Sequence, residues 1–585
     1  MHALRSLERA LAETVSGPRL MRYVTDLARW HRHAGTPDER AAADYLAEVL
    51  DNFGYATRVL VHDAYISLPG QARLEWNGRA IPVKAHSFSR PSPAGGLEAD
   101  MLYAGAGRPS DFEGLDVRGK ILLLEGVAGP SAAREASRRG AAGQVHISPH
   151  EHIHDMCVSP VWGSPTDEDL ARLPATVIVS AAAEHGSALR DAVARGPQRL
   201  RLHVEMDTGW RQTPIVEASL PGRDPDHWLM FSGHFCSWYA GAMDNGGANA
   251  TMLEVAQLCA EHRDRWARGM RVLFWSGHSQ GRYSSSTWYA DARWEDIHAG
   301  CVGHINVDST GGAGNTVVAD TTAMAETGAI ADDLLKTYAG QEWSGRHMHR
   351  AGDQAFWGIG LSCLFANMSE QPSEPGHVNP MAAVFGGGDR RGAGTGWWWH
   401  TPHDTVDKVD EAILVRDTRI YLGAVWRFLT SPVLPLGFAA AAREISAVLE
   451  DLQRAAGDRF DLSPCLDRAA AVERLAVQLT REVSRGGERP TARTREINRC
   501  LVGLQRALVP IRYARAGPFD QDPALALPLL PGLDDARRLA HLDRGSDEAR
   551  HLTVRLIRAR NRVATALSAA IRTLEDCLAG AEEPR

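Results

Sequence analysis

The sequence predicts an α/β protein: a mixed sheet flanked by helices, interrupted by a β-rich insertion and followed by an all-α region. Three observations carry this. Between about residues 216 and 432, short apolar runs alternate with helix-periodic segments, as a βαβ sheet requires. A stretch of β-rich runs broken by Gly and Pro separates that part from the first 56 residues. Beyond about Pro435 the β signal vanishes and amphipathic helical periodicity takes over.

In chain order, Leu20 to Gly54 places Leu, Tyr, Val, Trp and Ala at helical spacing on either side of His33-Ala34-Gly35-Thr36-Pro37, which predicts two helices. From Thr57 to about Ile215 the runs are short and β-rich, among them Gly119 to Glu125 and Ala175 to Val179. Trp228 to Phe231 and Val272 to Trp275 read as buried strands, with Asn249 to Cys259 a helix between them. Four later helices are expected at Phe438 to Ala455, Cys465 to Val483, Thr494 to Val509 and Ser546 to Leu578. The expected division is therefore 1–56 with 216–432, an insertion at 57–215, and a helical domain at 433–585.

A chain of 585 residues with 44% hydrophobic content can fill two or three cores. Its formal charge of −8, from 64 basic and 72 acidic residues, provides no field favouring nucleic acid or an anionic membrane. Eight cysteines follow no CxxC or regular spacing and read as reduced, buried small hydrophobes. Met1 to Thr14 lacks the apolar core of a signal peptide, and no run of about 18 apolar residues follows. The expectation is a cytoplasmic protein with no membrane partner.

Five ordered strings carry the chemistry: Gly233-His234-Phe235-Cys236-Ser237, Ala242-Met243-Asp244-Asn245-Gly246, Trp275-Ser276-Gly277-His278-Ser279-Gln280-Gly281, Ile305-Asn306-Val307-Asp308 and Trp399-His400-Thr401-Pro402-His403-Asp404-Thr405. His234, Asp244, Asp308 and His400 offer the imidazole nitrogens and carboxylate oxygens of a hydrolytic zinc site. In this order the strings resemble the zinc aminopeptidases and carboxypeptidases of peptidase family M28, whose strings are His-x-Asp, Asp-Asn, Glu-Glu, Asn-x-Asp and His-Thr-Pro-x-Asp-Thr. The resemblance implies a zinc-exopeptidase-like fold in which Asp244 bridges two zinc ions. One ion is completed by His234 and Asp308, the other by His400 and a Glu whose place Ser279 takes. One Zn2+ keeps all its ligands, and a second is open to question.

The resemblance also assigns the residue matching His278 as the general base, a Glu in the family. Histidine can accept that proton near neutral pH, and it is equally a common zinc ligand, so His278 reads either as the catalytic base or as the replacement ligand. Cys236 replaces the Asp that orients the first imidazole, or ligates metal itself. Asp111 to Lys120 and Ala132 to Gly143 resemble a protease-associated (PA) domain. The C-terminal helices, with a Pro-rich loop from Tyr513 to Pro531, resemble the glutamate carboxypeptidase II and transferrin receptor branch, which implies a homodimer formed through them. Gly352 to Gly360 resembles a scaffold segment beside the active site.

Other residues have plainer readings. His304, His377 and His403 are taken as structural. Trp397-Trp398-Trp399 is either core or the aromatic wall of a substrate pocket, and Glu370 to Gly396 either a loop over the site or surface padding. The function expected is hydrolysis of a peptide or small amide substrate by metal-activated water. The alternative is a catalytically inactive receptor-type binding protein, suggested by loss of both acids of the Glu-Glu pair.

Overall fold

Eleven strands make the framework: β1 (Ala56–Trp76), β2 (Arg79–Ala85), β3 (Leu97–Tyr103), β4 (Ile121–Glu125), β5 (Gly143–Ile147), β6 (Val177–Ala181), β7 (Gln198–Leu220), β8 (Asp224–His234), β9 (Arg268–Trp275), β10 (Cys301–Asn306) and β11 (Cys363–Leu364). The computed structural model describes residues 2–373, 391–485 and 491–580. The strands pair in the order β1-β2-β6-β5-β4-β3-β7-β9-β8-β10-β11, and β1 also pairs with β7. That additional pairing closes the first seven strands into a ring, which leaves none of them as an unpaired edge. Leu74, Val83, Leu123, Val145, Val179 and Leu202 fill its interior.

β1 and β7 run antiparallel from Ala56↔Ser219 to Glu75↔Arg201, with a shift in register between Pro69 and Ala72. Their far ends leave the ring, and Val216–Leu220 of β7 pairs with β9. β9, β8, β10 and β11 then pair in parallel. The alternation of a strand is visible in β8: Leu229 and Phe231 join one core with Phe274 and Ile305, whereas Trp228 and Met230 join another with Tyr289 and Phe356. Both faces are covered, which is why this strand reads as an unbroken apolar run.

The expected entry helices are Gly17–Leu27 and Pro37–Asn52. The second begins with the capping pattern Thr36-x-x-Glu39, in which Thr36 Oγ1 accepts from Glu39 N–H and Glu39 Oε2 accepts from Gly35 N–H. Ala248–Ala260 and Glu411–Thr430 cover the same side of the parallel strands. The C-terminal helices run Phe438–Ala456, Ser463–Ser484, Thr491–Tyr513 and Asp547–Ala579, within a few residues of expectation. Buried Arg512 joins them to the rest, at 2.6 Å from both Glu326 and Glu444. All eight cysteines are buried and unbonded. Among the described residues, no helix is long and apolar enough to cross a membrane.

Candidate functional site

Because β8, β9 and β10 are parallel, their C-terminal ends meet on one edge of the sheet, where open α/β sheets bind ligands. His234 is the last residue of β8, His278 follows β9 by three residues, and Asp308 follows β10 by two. Asp244 lies in the tight turn Ala242–Gly247 that opens the helix Ala248–Ala260. His400 arrives from the distant Trp-rich segment.

These five side chains converge. His234 Nε2 lies 3.2 Å from Asp244 Oδ1 and 3.5 Å from Asp308 Oδ1, and Asp244 Oδ2 lies 3.0 Å from His400 Nε2. Asp244 thus stands between the two imidazoles. The His278 ring stacks on His234 at 3.8 Å between centroids, and one ligand atom each from His234, His278 and Asp308 fall within 4.8 Å of one another. His234 Nε2 and Asp244 Oδ1 are buried and out of hydrogen-bonding alignment with any group among the described residues. Two orphaned polar atoms of this kind, one imidazole and one carboxylate, fit a cation between them.

Each imidazole is fixed through its other nitrogen. His234 Nδ1 donates to the Cys236 carbonyl (2.9 Å) and His400 Nδ1 to the Asp155 carbonyl (2.7 Å), since a carbonyl only accepts. His278 Nδ1 pairs with Asp353 Oδ2 at 2.9 Å, and Asp353 Oδ1 accepts from Ser286 Oγ at 2.7 Å. Each bond leaves Nε2 free for the cluster, the arrangement typical of metal-ligating histidines. Burial lowers the affinity of His234 for a proton, but the Asp308 and Asp244 carboxylates outweigh it and raise its pKa well above the ordinary value. Asp244 is disfavoured as an anion by burial, yet the His234 and His400 imidazoles beside it hold its pKa below the ordinary range. Burial likewise opposes ionisation of Asp353, and its interaction with His278 overcomes it, so its pKa is lowered.

The loops carrying these residues are tightly held. Asp404 accepts from the N–H groups of Met243 (2.8 Å) and Asp244 (2.9 Å), while burial pushes its own pKa up to about 7. Arg32, fully buried, donates to the carbonyls of Phe235, Ala240 and Gly241. Of nine described non-glycine residues with positive φ, five surround the site: Tyr239, Arg282, Tyr283, Ser309 and His400. Backbone strain of this kind, about 1–3 kcal/mol each, concentrates where position matters more than stability.

Cys236 turns its sulfur away from the cluster. Sγ is 4.0 Å from His234 Nδ1, on the ring edge opposite Nε2, and accepts from His278 N–H at 3.2 Å. Its carbonyl, and not its side chain, orients His234. Ser279 lines the cavity but offers no carboxylate. His304 is buried against Ser232 Oγ (2.8 Å), and burial pushes its pKa down to about 3; His403 is exposed. His377 and most of the 370–396 segment lie outside the described residues. Of the three tryptophans, Trp399 lines the cavity and stacks on His400 at 3.4 Å, Trp398 is buried and Trp397 is exposed. Asp155, which orients His400, had no local signal in the sequence; Asp353 lay in a segment read as scaffold beside the site.

The sequence profile described as "Peptidase family M28" matches residues 216–425, the span that holds every one of the converging residues. Residues 216–425 are an M28 peptidase domain. Similarity extends past the M28 domain. The chain is 21% identical to a probable glutamate carboxypeptidase VP8 of Zea mays, over 72% of this chain and 68% of that one. It is 24% identical to carboxypeptidase Q of Bos taurus, over 49% and 61%. The chain thus spans about two thirds or less of the length of these relatives. The fold is similar to that of a zinc aminopeptidase from Bacillus subtilis, with TM-score 0.53 and 20% identity over 71% of this chain and 96% of that one. It is also similar to a peptidase M28 precursor from Shewanella amazonensis, with TM-score 0.55 and 18% identity over 74% and 97%.

Proposed function

We propose that this chain is a zinc-dependent hydrolase of peptide or related amide bonds, its metal held by His234, His278 and Asp308, with Asp244 as the carboxylate shared toward His400. The observation that carries this is the pair of buried atoms His234 Nε2 and Asp244 Oδ1, which face each other at 3.2 Å out of hydrogen-bonding alignment among converging ligand types. Zinc bound there would polarise the scissile carbonyl and bring the pKa of water to about 7. Asp353 holds the proton on His278 Nδ1, which leaves Nε2 to the metal and makes His278 a ligand in place of a base. The Asp155 carbonyl likewise orients His400, so the segment 57–215 takes part in the site. Its closed ring supports its reading as a PA-type module, and the helices after 433 are proposed to form a homodimer.

Loss of both acids at His278-Ser279 favours one other reading, a binding protein without activity. Metal content by mass spectrometry separates the two. The hydrolase reading expects about one zinc per chain, lost in Asp308→Ala and His278→Ala and sharply reduced in Asp244→Ala. Wild-type zinc content in both Asp variants would overturn the site. A wild-type chain that binds no metal when zinc is supplied is the binding protein.

A further inference from the structure

Among the described residues lining the cavity beside the metal cluster, Arg282 is the one arginine, and no lysine joins it. Its place is built with some effort. Arg282 and Tyr283 are consecutive non-glycine residues in the left-handed region (φ 49° and 67°), which side chains disfavour. Tyr283 N–H bonds the carbonyls of Gly277 (3.0 Å) and His278 (2.9 Å), and the Arg282 carbonyl accepts from Gly163 N–H (2.6 Å). Gly281, before them, packs so closely that a Cβ would meet Ser284 Oγ at 2.4 Å and Ile66 Cδ1 at 2.7 Å. The result is a strained turn, four residues past His278, that puts Arg282 on the cavity wall.

Arg282 Nε donates to the Ser159 carbonyl (3.0 Å), and this is the one hydrogen bond its guanidinium makes among the described residues. Both terminal nitrogens therefore keep the planar fork that matches a carboxylate. The carboxylates on the wall are otherwise engaged. Asp244 and Asp308 belong to the metal cluster, and Glu370 faces Arg346 at 3.5 Å while accepting from Gly394 N–H at 3.3 Å. Among the described residues, a substrate ammonium would meet no uncommitted acid on this wall, whereas a substrate carboxylate would meet Arg282.

We infer that Arg282 anchors a carboxylate of the substrate, which makes this site one for acidic acyl-amides and not for peptides held by a free amine. The inference rests on the hydrolase reading for its turnover but not for its binding. The carboxylate comes either from a free C-terminus or from an acidic side chain.

Four probes given to the zinc-loaded full chain test it: N-acetyl-Ala-Ala, N-acetyl-Ala-Ala-amide, N-acetyl-Ala-Glu-amide and Ala-Ala-amide. Product release and calorimetric Kd are both read. At least one acidic probe should exceed N-acetyl-Ala-Ala-amide by about 10–100-fold in kcat/KM and in affinity, the range of a charged hydrogen bond. Which acidic probe wins names the source of the carboxylate. Arg282→Gln should collapse that preference, mainly through KM, and Arg282→Lys should keep part of it, both with wild-type zinc content. Equal handling of acid and amide by the wild type, preference for Ala-Ala-amide, or a preference that survives Arg282→Gln would overturn the inference. If nothing is hydrolysed, acid-selective binding lost in Arg282→Gln upholds the anchor while the hydrolase reading fails; absence of acid-selective binding overturns the anchor.

Discussion

Asp353 Oδ2 lies 2.9 Å from His278 Nδ1, so a carboxylate from the loop before β11 fixes the tautomer of an imidazole that follows β9. A second bond, from Ser286 Oγ to Asp353 Oδ1, fixes the carboxylate in turn. The relation gives His278 one free nitrogen and one orientation.

Replacing Asp353 with Asn should therefore weaken zinc binding by about 10–100-fold, the usual effect of losing such a partner. The amide can offer its N–H to Nδ1 and favour the opposite tautomer. Competition with a chelating dye measures it, and an unchanged zinc affinity would remove Asp353 from the site's function.

Cys236 gives the opposite expectation. Its carbonyl orients His234 at 2.9 Å, while its sulfur accepts one backbone N–H and stays 4.0 Å from His234 Nδ1, so Cys236→Ala should keep zinc stoichiometry and change affinity no more than roughly a few-fold. Loss of the metal in that variant would make the thiolate a ligand.

Local periodicity explains why so much was legible. Trp228 to Phe231 read as a doubly buried strand because Leu229 and Phe231 face one core and Trp228 and Met230 another. His234 and Asp308 could be picked out because they stand in five ordered strings that resemble those of the M28 family. The closing of β1 on β7 was not legible, since long strands that cross two sheets look like several short runs, and pairing is a nonlocal property. Asp155 was missed for the same reason: it contributes a backbone carbonyl, which has no residue-type signature, to a histidine 245 positions away. Arg282 was quoted in no motif, and only coordinates place it on the cavity wall with a single described hydrogen bond from its guanidinium.

Arg32 should be among the most costly residues to alter. Burial pushes its pKa down to about 10, so it stays charged at neutral pH, and it satisfies carbonyls of Leu27, Phe235, Ala240 and Gly241. Arg32→Met would leave those acceptors dry at about 1–3 kcal/mol for each one not rehydrated. The expected loss is at least about 3 kcal/mol in urea unfolding, and Arg32→Lys should recover little because an ammonium lacks the fork. A loss under about 1 kcal/mol would mean that water replaces the guanidinium.

Glu39 sets a pH dependence away from the cluster. Burial raises its pKa from 4.5 to about 8, against the opposing bonds from Ser276 Oγ and Gly35 N–H. The folded chain therefore holds this proton where the unfolded chain has released it. The sign follows: the contribution is complete below pH 4.5 and is lost as pH rises toward 8. Within that window it falls by up to about 1.4 kcal/mol per pH unit. Glu39→Gln keeps an acceptor for Gly35 and removes the titration, so its stability should fall less steeply than that of the wild type between those limits. Urea midpoints at several pH values measure the difference. Parallel curves would mean that Glu39 ionises in the folded state at an ordinary pKa, with water reaching the base of the helix Pro37–Asn52.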